Sequence, residues 1–409
     1  MSINKTNILI ITSWSYNDAL IQAYTLPYLN IISNQLSEDS NIFLTTLEKT
    51  NQPITNPNPK IKNILIAYHP LSIKGLMMWV GLIFKLLKTI RKEKIDVIHC
   101  WCTPAGMIGY ILSLLTRKPL IIDSFEPHAE TMVENGVWTK NGFAHRLLFF
   151  FEKRLTKRAK YLIATTEGMK SYAKNKYRFQ GNNIFVKPAC VNLGFFSENN
   201  LKIKHLVDEL NLTDKIVCVY AGKFGGIYLE NEVFDFFKVA ENYWGSNFRA
   251  LILSTHSKQE IENYCKKNNL TPATVIHKFI SHHEIPNFIG LGDFGITPVK
   301  PIPTKRYCTP IKDGEYWALG LPVVITKDIS DDSDIIKKYK IGSVLEELNE
   351  TEYLKAIKDI DHLLKNNTRK ALYNKIRPIA EKYRNFDIAE KVYKKIYNNI
   401  KPQTSNLEL

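Results

Sequence analysis

The sequence predicts two α/β domains, each a Rossmann-like, doubly wound parallel sheet. Three observations carry that prediction. Short apolar runs of strand length alternate with segments of helical period along the chain. The alternation pauses at residues 185–196, FVKPACVNLGFF, and then starts afresh. With 409 residues, 44% hydrophobic and 23% charged, the chain is large enough for two cores and too apolar to be disordered.

Taken in order, residues 7–13 (NILIITS) read as a buried strand, followed by a loop at 14–18 and a helix to about Leu36. A dinucleotide enzyme needs G-x-G-x-x-G at that first turn. No glycine occurs before Gly75, which excludes a nicotinamide or flavin Rossmann enzyme. Strands at 43–46 and 61–68 flank a Pro/Asn-rich loop, 51–60. Residues 75–91 (GLMMWVGLIFKLLKTIR) form a helix, apolar first and basic last. Residues 95–100 (IDVIHC) form a strand that opens through WCTPAG into a helix from about Ala105. Gly106 on that helix would let a substrate approach the backbone. His99 at the strand end is either a core histidine or a ligand contact. The strand 119–123 exits into Glu126-Pro127-His128-Ala129-Glu130, the densest acid–base cluster of the first half. An aromatic-basic helix, 143–160, and a strand, 161–165, follow.

In the second half, the strand 216–221 runs into Gly222-Lys223-Phe224-Gly225-Gly226. A cation among glycines that admit close backbone approach suits an anion, though a solvated lysine on a tight turn fits the same residues. Strands at 248–254, 274–279 and 293–298 lead to the most marked stretch, PVKPIPTKRYCTPIKDGEYWALGLPVVIT (298–326). Thr309 is expected to cap a helix with Pro310 at its first position, and Gly320 to end it in a left-handed turn before Pro322 and a buried strand. The start of such a helix, at Thr309, Pro310 and Ile311, presents unpaired N–H groups suited to phosphate, with Lys305, Arg306 and Lys312 around it. Lys312 and Glu315, three apart, share one face: either a phosphate and ribose site or a surface Lys–Glu pair. Asp332-Ser333-Asp334 reads as the acidic start of an amphipathic helix. His282-His283-Glu284 lacks the spacing of a zinc helix. No catalytic metal is expected. Helices from Glu350 close the chain, with a polar tail at 403–409.

The formal charge of +15 and pI near 9.3 call for an anionic partner: nucleotide, phospholipid or nucleic acid. Nucleic acid is the least favoured, since no aromatic-basic RNA-module motif is present. Six scattered cysteines suggest reduced thiols. The first residues read as a strand and not as a signal peptide, and the run 75–84 is too short to span a bilayer. This places the chain in the cytoplasm. Lys85, Lys88, Arg91, Lys92 and Lys94 after one apolar helix start, and Arg146, Lys153, Arg154, Lys157 and Arg158 in another helix, leave docking on the inner face of a membrane as an open reading beside ordinary amphipathic packing.

The motif P-x-K-x-x-EY-x-A-x-G-x-PVV at Pro310–Val324 resembles the donor-binding signature of family 4-type glycosyltransferases of the GT-B fold. DVIH with its small-residue loop at 96–99 is similar to that family's first domain. The resemblance implies two such domains facing across a cleft. The acceptor side would be 1–188 with a returning helix at about 387–409, and the nucleotide-sugar side 189–386. It implies that Glu315 holds ribose, and that the helix start faces the diphosphate with Lys223, Gly222 and Gly225 opposite. Tyr307 occupies the place where many members carry a Glu that contacts the sugar, and 280–284 would lie by the base. His128 and Glu126 are the catalytic candidates, with Trp14, Asp18 and Glu130 lining the acceptor side. The implied activity is retaining, metal-independent hexosyl transfer from a nucleotide sugar to a saccharide or lipid-linked saccharide, without a cofactor, in cell-surface polysaccharide assembly. An epimerase or phosphorylase of the same fold, or a non-catalytic nucleic-acid binder or scaffold, is the alternative.

Overall fold

The computed structural model describes residues 5–18, 20–50, 54, 56–70 and 73–400. The tail at 403–409 and part of the 51–60 loop lie outside the described residues. The chain divides into two compact units, Met1–Lys187 with Asp387–Leu409, and Pro188–Phe386.

The first unit is built on seven strands: β1 (Ile8–Ile11), β2 (Ile42–Glu48), β3 (Ile61–Ala67), β4 (Val97–Trp101), β5 (Leu120–Phe125), β6 (Tyr161–Ala164) and β7 (Ile184–Val186). They pair in parallel in the order β3-β2-β1-β4-β5-β6-β7. In register, Ile8 faces Ile42 on one side and Val97 on the other. Strands β1, β4 and β5 are wholly buried, as unbroken apolar runs must be when helices cover both faces of a sheet. Edge strand β3 carries exposed residues along its length. The segment after the β1 loop opens as a π-helical turn, Leu20–Thr25, before the α-helix Leu26–Asn34. The closing helix, Phe386–Asn398, returns to this unit, where Tyr393 and Tyr397 are buried.

The second unit has six parallel strands: β8 (Ile216–Ala221), β9 (Phe248–Leu253), β10 (Val275–Lys278), β11 (Phe294–Thr297), β12 (Val323–Thr326) and β13 (Gly342–Leu345). Their order is β10-β9-β8-β11-β12-β13. Strand alternation splits its core in two: Val217, Val219, Leu251 and Leu253 pack on one face, Cys218, Tyr220, Ala250 and Ile252 on the other. Strand β13 has no counterpart in the sequence reading, because GSVL is too short and too mixed to stand out.

In both units the strand order reverses beside the first strand, between β1 and β4 and between β8 and β11. Loops at the carboxyl ends of strands beside such a reversal are where open α/β sheets bind ligands. All six cysteines are free. Among the described residues no helix is long and apolar enough to cross a membrane.

Candidate functional site

The helix of the marked stretch is Ile311–Ala318, and its N-cap is Pro310, with φ −67° and ψ 125°. This corrects the expected Thr309 cap by one residue. The extended ψ of Pro310 delays the helix, and no side chain caps it. Thr309 instead accepts from the Ser330 hydroxyl at 3.4 Å. The N–H groups of Ile311, Lys312 and Asp313 have no carbonyl one turn back within the helix. The end is as the sequence implies. Gly320 has φ +69°, its N–H reaches the Trp317 carbonyl and that of Leu321 the Tyr316 carbonyl, a left-handed cap. A Cβ on Gly320 would stand 2.5 Å from Tyr373 Cα, so the position admits little else.

Beneath the first turn, the fully buried Asp313 carboxylate accepts from the Thr297 hydroxyl at the end of β11. Burial, then the nearby Asp332, pushes the Asp313 carboxyl well above the usual range. Asp332 in turn pairs with Arg384. This buried carboxyl pair fixes the helix start on the sheet.

Lys312 points back toward the exit of β8. A Cβ on Gly222, whose φ is +156°, would lie 2.7 Å from Lys312 Cε and 3.0 Å from its Nζ. A larger residue here would have to push the tip of Lys312 aside. Lys312 Nζ donates to Tyr228 Oη at 3.2 Å and sits 4.3 Å from that ring's centroid and 5.6 Å from that of Tyr220. Partial burial alone would lower its proton affinity. The phenols of Tyr228 and Tyr220 and the Glu315 carboxylate outweigh that and hold it charged. Glu315, half-buried on the next turn, is pushed up to about 7 by burial, against the pull of Lys312. The structure thus brings together Gly222, Lys312, Glu315 and the helix start.

The glycine turn is held from two sides. Tyr220 Oη donates to the Lys223 carbonyl, and the Phe224 N–H donates to His256 Nε2 at 2.9 Å. The Lys223 side chain itself is exposed. Gly225, at φ +83°, makes room for the Glu230 carboxylate, which accepts from Tyr264 at 2.8 Å. Other candidates have settled elsewhere. Arg306 pairs with Asp328 and Asp334 and so is committed within the fold. Lys305 is buried, and Tyr307 ends the turn Pro303–Tyr307, half-buried. His282 stacks on Phe195 with centroids 5.8 Å apart. Both aspartates of Asp332-Ser333-Asp334 pair with arginines.

In the first unit, Glu126 and His128 follow β5 and are half-buried. Glu126 Oε1 accepts from Thr165 at 3.3 Å, and His128 begins the short helix His128–Glu134. Glu130 is bound by Tyr172 and lies 3.4 Å from Lys176, which ties it to the Gly168–Tyr177 helix. Trp14 and Asp18 lie on the loop after β1, where Asp18 accepts from the Ser15 N–H at 3.0 Å. Gly106 serves helix packing, contrary to its expected role: a Cβ would come within 2.9 Å of Leu155. His99 is a core histidine, fully buried, 2.8 Å from Tyr397 Oη and 3.6 Å from Asp123.

Sequence reasoning missed Tyr228, His256 and Glu152. Glu152, buried and pushed up to about 8, accepts from the Ala129 N–H at 2.9 Å and so holds the start of the His128 helix. The one local signal for His256 is its place at the exit of β9, just before the capping box Ser257–Glu260.

Residues 50–195 match the family model Glycosyltransferase Family 4, and residues 242–396 match the model Glucosyltransferase 3-like, C-terminal domain. Among solved structures, sucrose-phosphate synthase from Thermosynechococcus elongatus matches with a TM-score of 0.74 at 14% identity, covering 96% of this chain and 98% of that one. HepE of Anabaena in complex with UDP-glucose matches at 0.70 and 13%, over 96% and 99%. WaaG, a glycosyltransferase involved in lipopolysaccharide biosynthesis, matches at 0.70 and 12%, over 95% and 99%. No curated protein matches.

Proposed function

We propose that this chain, a family 4-type glycosyltransferase of the GT-B fold, moves a hexosyl group from a nucleotide sugar to a saccharide or lipid-linked saccharide. The observation that carries this reading is the Lys312 ammonium seated against Gly222, with a bare helix start beside it and Glu315 one turn behind. We place the donor's diphosphate between the glycine turn and the helix start. There Lys312, Lys223 and backbone N–H groups would meet its charge. The Glu315 carboxylate would accept hydrogen bonds from the ribose hydroxyls.

Transfer then needs charge stabilisation on the departing diphosphate more than a protein nucleophile. In a retaining course the leaving diphosphate takes the acceptor's proton on the face from which it departs. Protein cations placed at the phosphates supply the neutralisation that a metal supplies elsewhere, so we read the reaction as metal-independent. Glu126 and His128, held at the end of β5 by Thr165 and Glu152, are our acceptor-side candidates. HepE was solved with UDP-glucose and WaaG works in lipopolysaccharide biosynthesis. Those two facts favour a uridine nucleotide and a cell-surface glycan acceptor, worked on from the cytoplasmic face of a membrane.

The test is calorimetry of the purified chain with UDP-, GDP-, ADP- and CMP-sugars. One clear binder, weakened by Glu315→Ala and by Lys312→Met, is the expected result. Silence across the panel would sink the reading in favour of a non-catalytic protein. Consumption of the donor with water alone, or a demand for inorganic phosphate, would point to an epimerase or a phosphorylase.

A further inference from the structure

The first unit leaves large apolar side chains in solvent on one helical layer. The second exposes only Ile227, Tyr243 and Phe279 of that kind among its described residues. The layer is made of the helices Ile73–Lys92, Cys102–Thr116 and Phe143–Arg158, the first packed on the second and the second on the third. On Ile73–Lys92, Met77, Val80, Phe84, Lys88 and Arg91 are all exposed and recur at three- and four-residue steps, one face of a helix. On Phe143–Arg158, the exposed Phe143, Leu147, Phe150, Arg154 and Lys157 do the same. Leu114 and Leu115 are exposed on the helix between them.

The core does not need these side chains. Leu82, Leu86 and Ile90 on one helix, and Leu148 and Leu155 on the other, already bury the inner faces. Met77 is 69% exposed, Phe84 68% and Phe143 82%, so these apolar side chains stand largely in solvent. The charge on the layer is of one sign. The Ile73–Lys92 helix contains no Asp or Glu, and the one carboxylate of Phe143–Arg158, Glu152, is fully buried. Arg154 folds over the Phe150 ring at 5.0 Å, so cation and apolar surface form a single patch.

We propose that this layer docks the protein on an anionic phospholipid bilayer. The aromatic and aliphatic halves of the two helices enter the headgroup–acyl boundary, and Lys88, Arg91, Arg154 and Lys157 meet lipid phosphates. A second copy of the chain is the poorer occupant. A two-fold contact sets the same patch against itself and would oppose cation to cation with no carboxylate to relieve them. Both helices run antiparallel to the strands that flank them, so their apolar halves lie toward the carboxyl ends of β3 and β5. That is the end of the sheet bearing the Trp14 and Glu126 loops. Docking would therefore present those loops at the membrane surface, a consequence that rests on the lipid-linked acceptor proposed above. The docking itself does not.

The test is co-sedimentation of the full chain with vesicles of phosphatidylcholine alone or with added phosphatidylglycerol, without donor or acceptor, at low and high salt. Binding to the anionic vesicles only, weakened by salt, is expected. Phe84→Ser with Phe143→Ser, and separately Lys88→Glu with Arg91→Glu, should each weaken it about tenfold or more. Thermal stability and nucleotide-sugar affinity should stay at the wild-type level in both. Absence of binding to anionic vesicles at low salt overturns the proposal, as does binding that neither variant weakens. Sedimentation showing a dimer that the phenylalanine variant dissolves would assign the face to a second copy instead. None of these outcomes touches the donor calorimetry, so the two readings fail separately.

Discussion

Each unit sets a lysine against tyrosine rings at the carboxyl side of its sheet. Lys187 Nζ sits 3.6 Å from the Tyr28 centroid, and Lys312 Nζ 4.3 Å from that of Tyr228. Their electrostatic partners differ. Lys187 is fully buried 3.2 Å from Asp123, which also accepts from Tyr393 of the returning helix at 2.7 Å. Burial alone would raise the Asp123 carboxyl, but Lys187, His99 and Tyr393 together draw it down to about 2. That charge is neutralised inside the fold, and it ties the end of β7 and the closing helix to the first sheet. Lys312 is half-buried, bonds only to a neutral phenol, and makes no ion pair among the described residues. This ammonium makes no ion pair, feels the Glu315 carboxylate only at longer range, and lies beside a glycine, which is why we propose it for an anion from outside. One side chain type thus builds structure where its charge is paired, and where it makes no ion pair we propose a site.

The largest test of that contrast is Lys187→Met. It leaves Asp123 charged and buried without its main partner, and should cost about 3–5 kcal/mol in urea unfolding. Donor affinity per folded molecule should be unchanged. Lys312→Met should invert the pattern: donor affinity falls roughly 10- to 100-fold by calorimetry, with little change in the unfolding midpoint. If both variants lose stability alike, Lys312 is a structural lysine and the contrast collapses.

Glu315 sharpens the picture through pH. Its proton affinity in the fold is raised from 4.5 to about 7. The folded chain keeps this proton while the unfolded chain releases it near 4.5. The group's contribution to stability is therefore full below about 4.5 and lost as pH rises through 7. In the ribose role proposed for Glu315 the carboxylate is the acceptor, so donor affinity should rise about tenfold from pH 6 to 8. In Glu315→Gln both dependences should flatten, read from calorimetry and melting at each pH. The smallest effect is expected for His256→Ala. It strips the Phe224 N–H of its acceptor and loosens the glycine turn, for a loss of about fivefold in donor affinity. His256→Gln, which can still accept, should recover most of it.

Much of this was legible beforehand where local chemistry decides the outcome. NILIITS, DVIHC and PLIID are short, bounded and rich in β-branched residues, which favours strands of a doubly covered sheet, and Gly320 before Pro322 marks a helix end. The Lys312–Glu315 spacing gave the shared face without reference to any other part of the chain. The failures have physical reasons too. The Thr309 cap failed because the extended backbone of Pro310 starts the helix one residue later, leaving the Thr309 hydroxyl to pair with Ser330 and the helix start uncapped by any side chain. Gly106 resembled a substrate-facing glycine but answers Leu155, which comes from a helix some fifty residues later.

Most of the alternation of elements, though not the short strands β7 and β13, was determined by the sequence alone, as were the glycine turn after β8 and the glycine-ended helix, since periodicity, proline, glycine and charge act over a few residues. Which lysine is neutralised was decided only by tertiary structure. Nothing near Lys187 in sequence announces Asp123 or Tyr393, and nothing near Lys312 announces Gly222 or Tyr228. Those partners come from distant parts of the chain, and charge–charge energies depend on separations and burial that exist only once the sheets have formed.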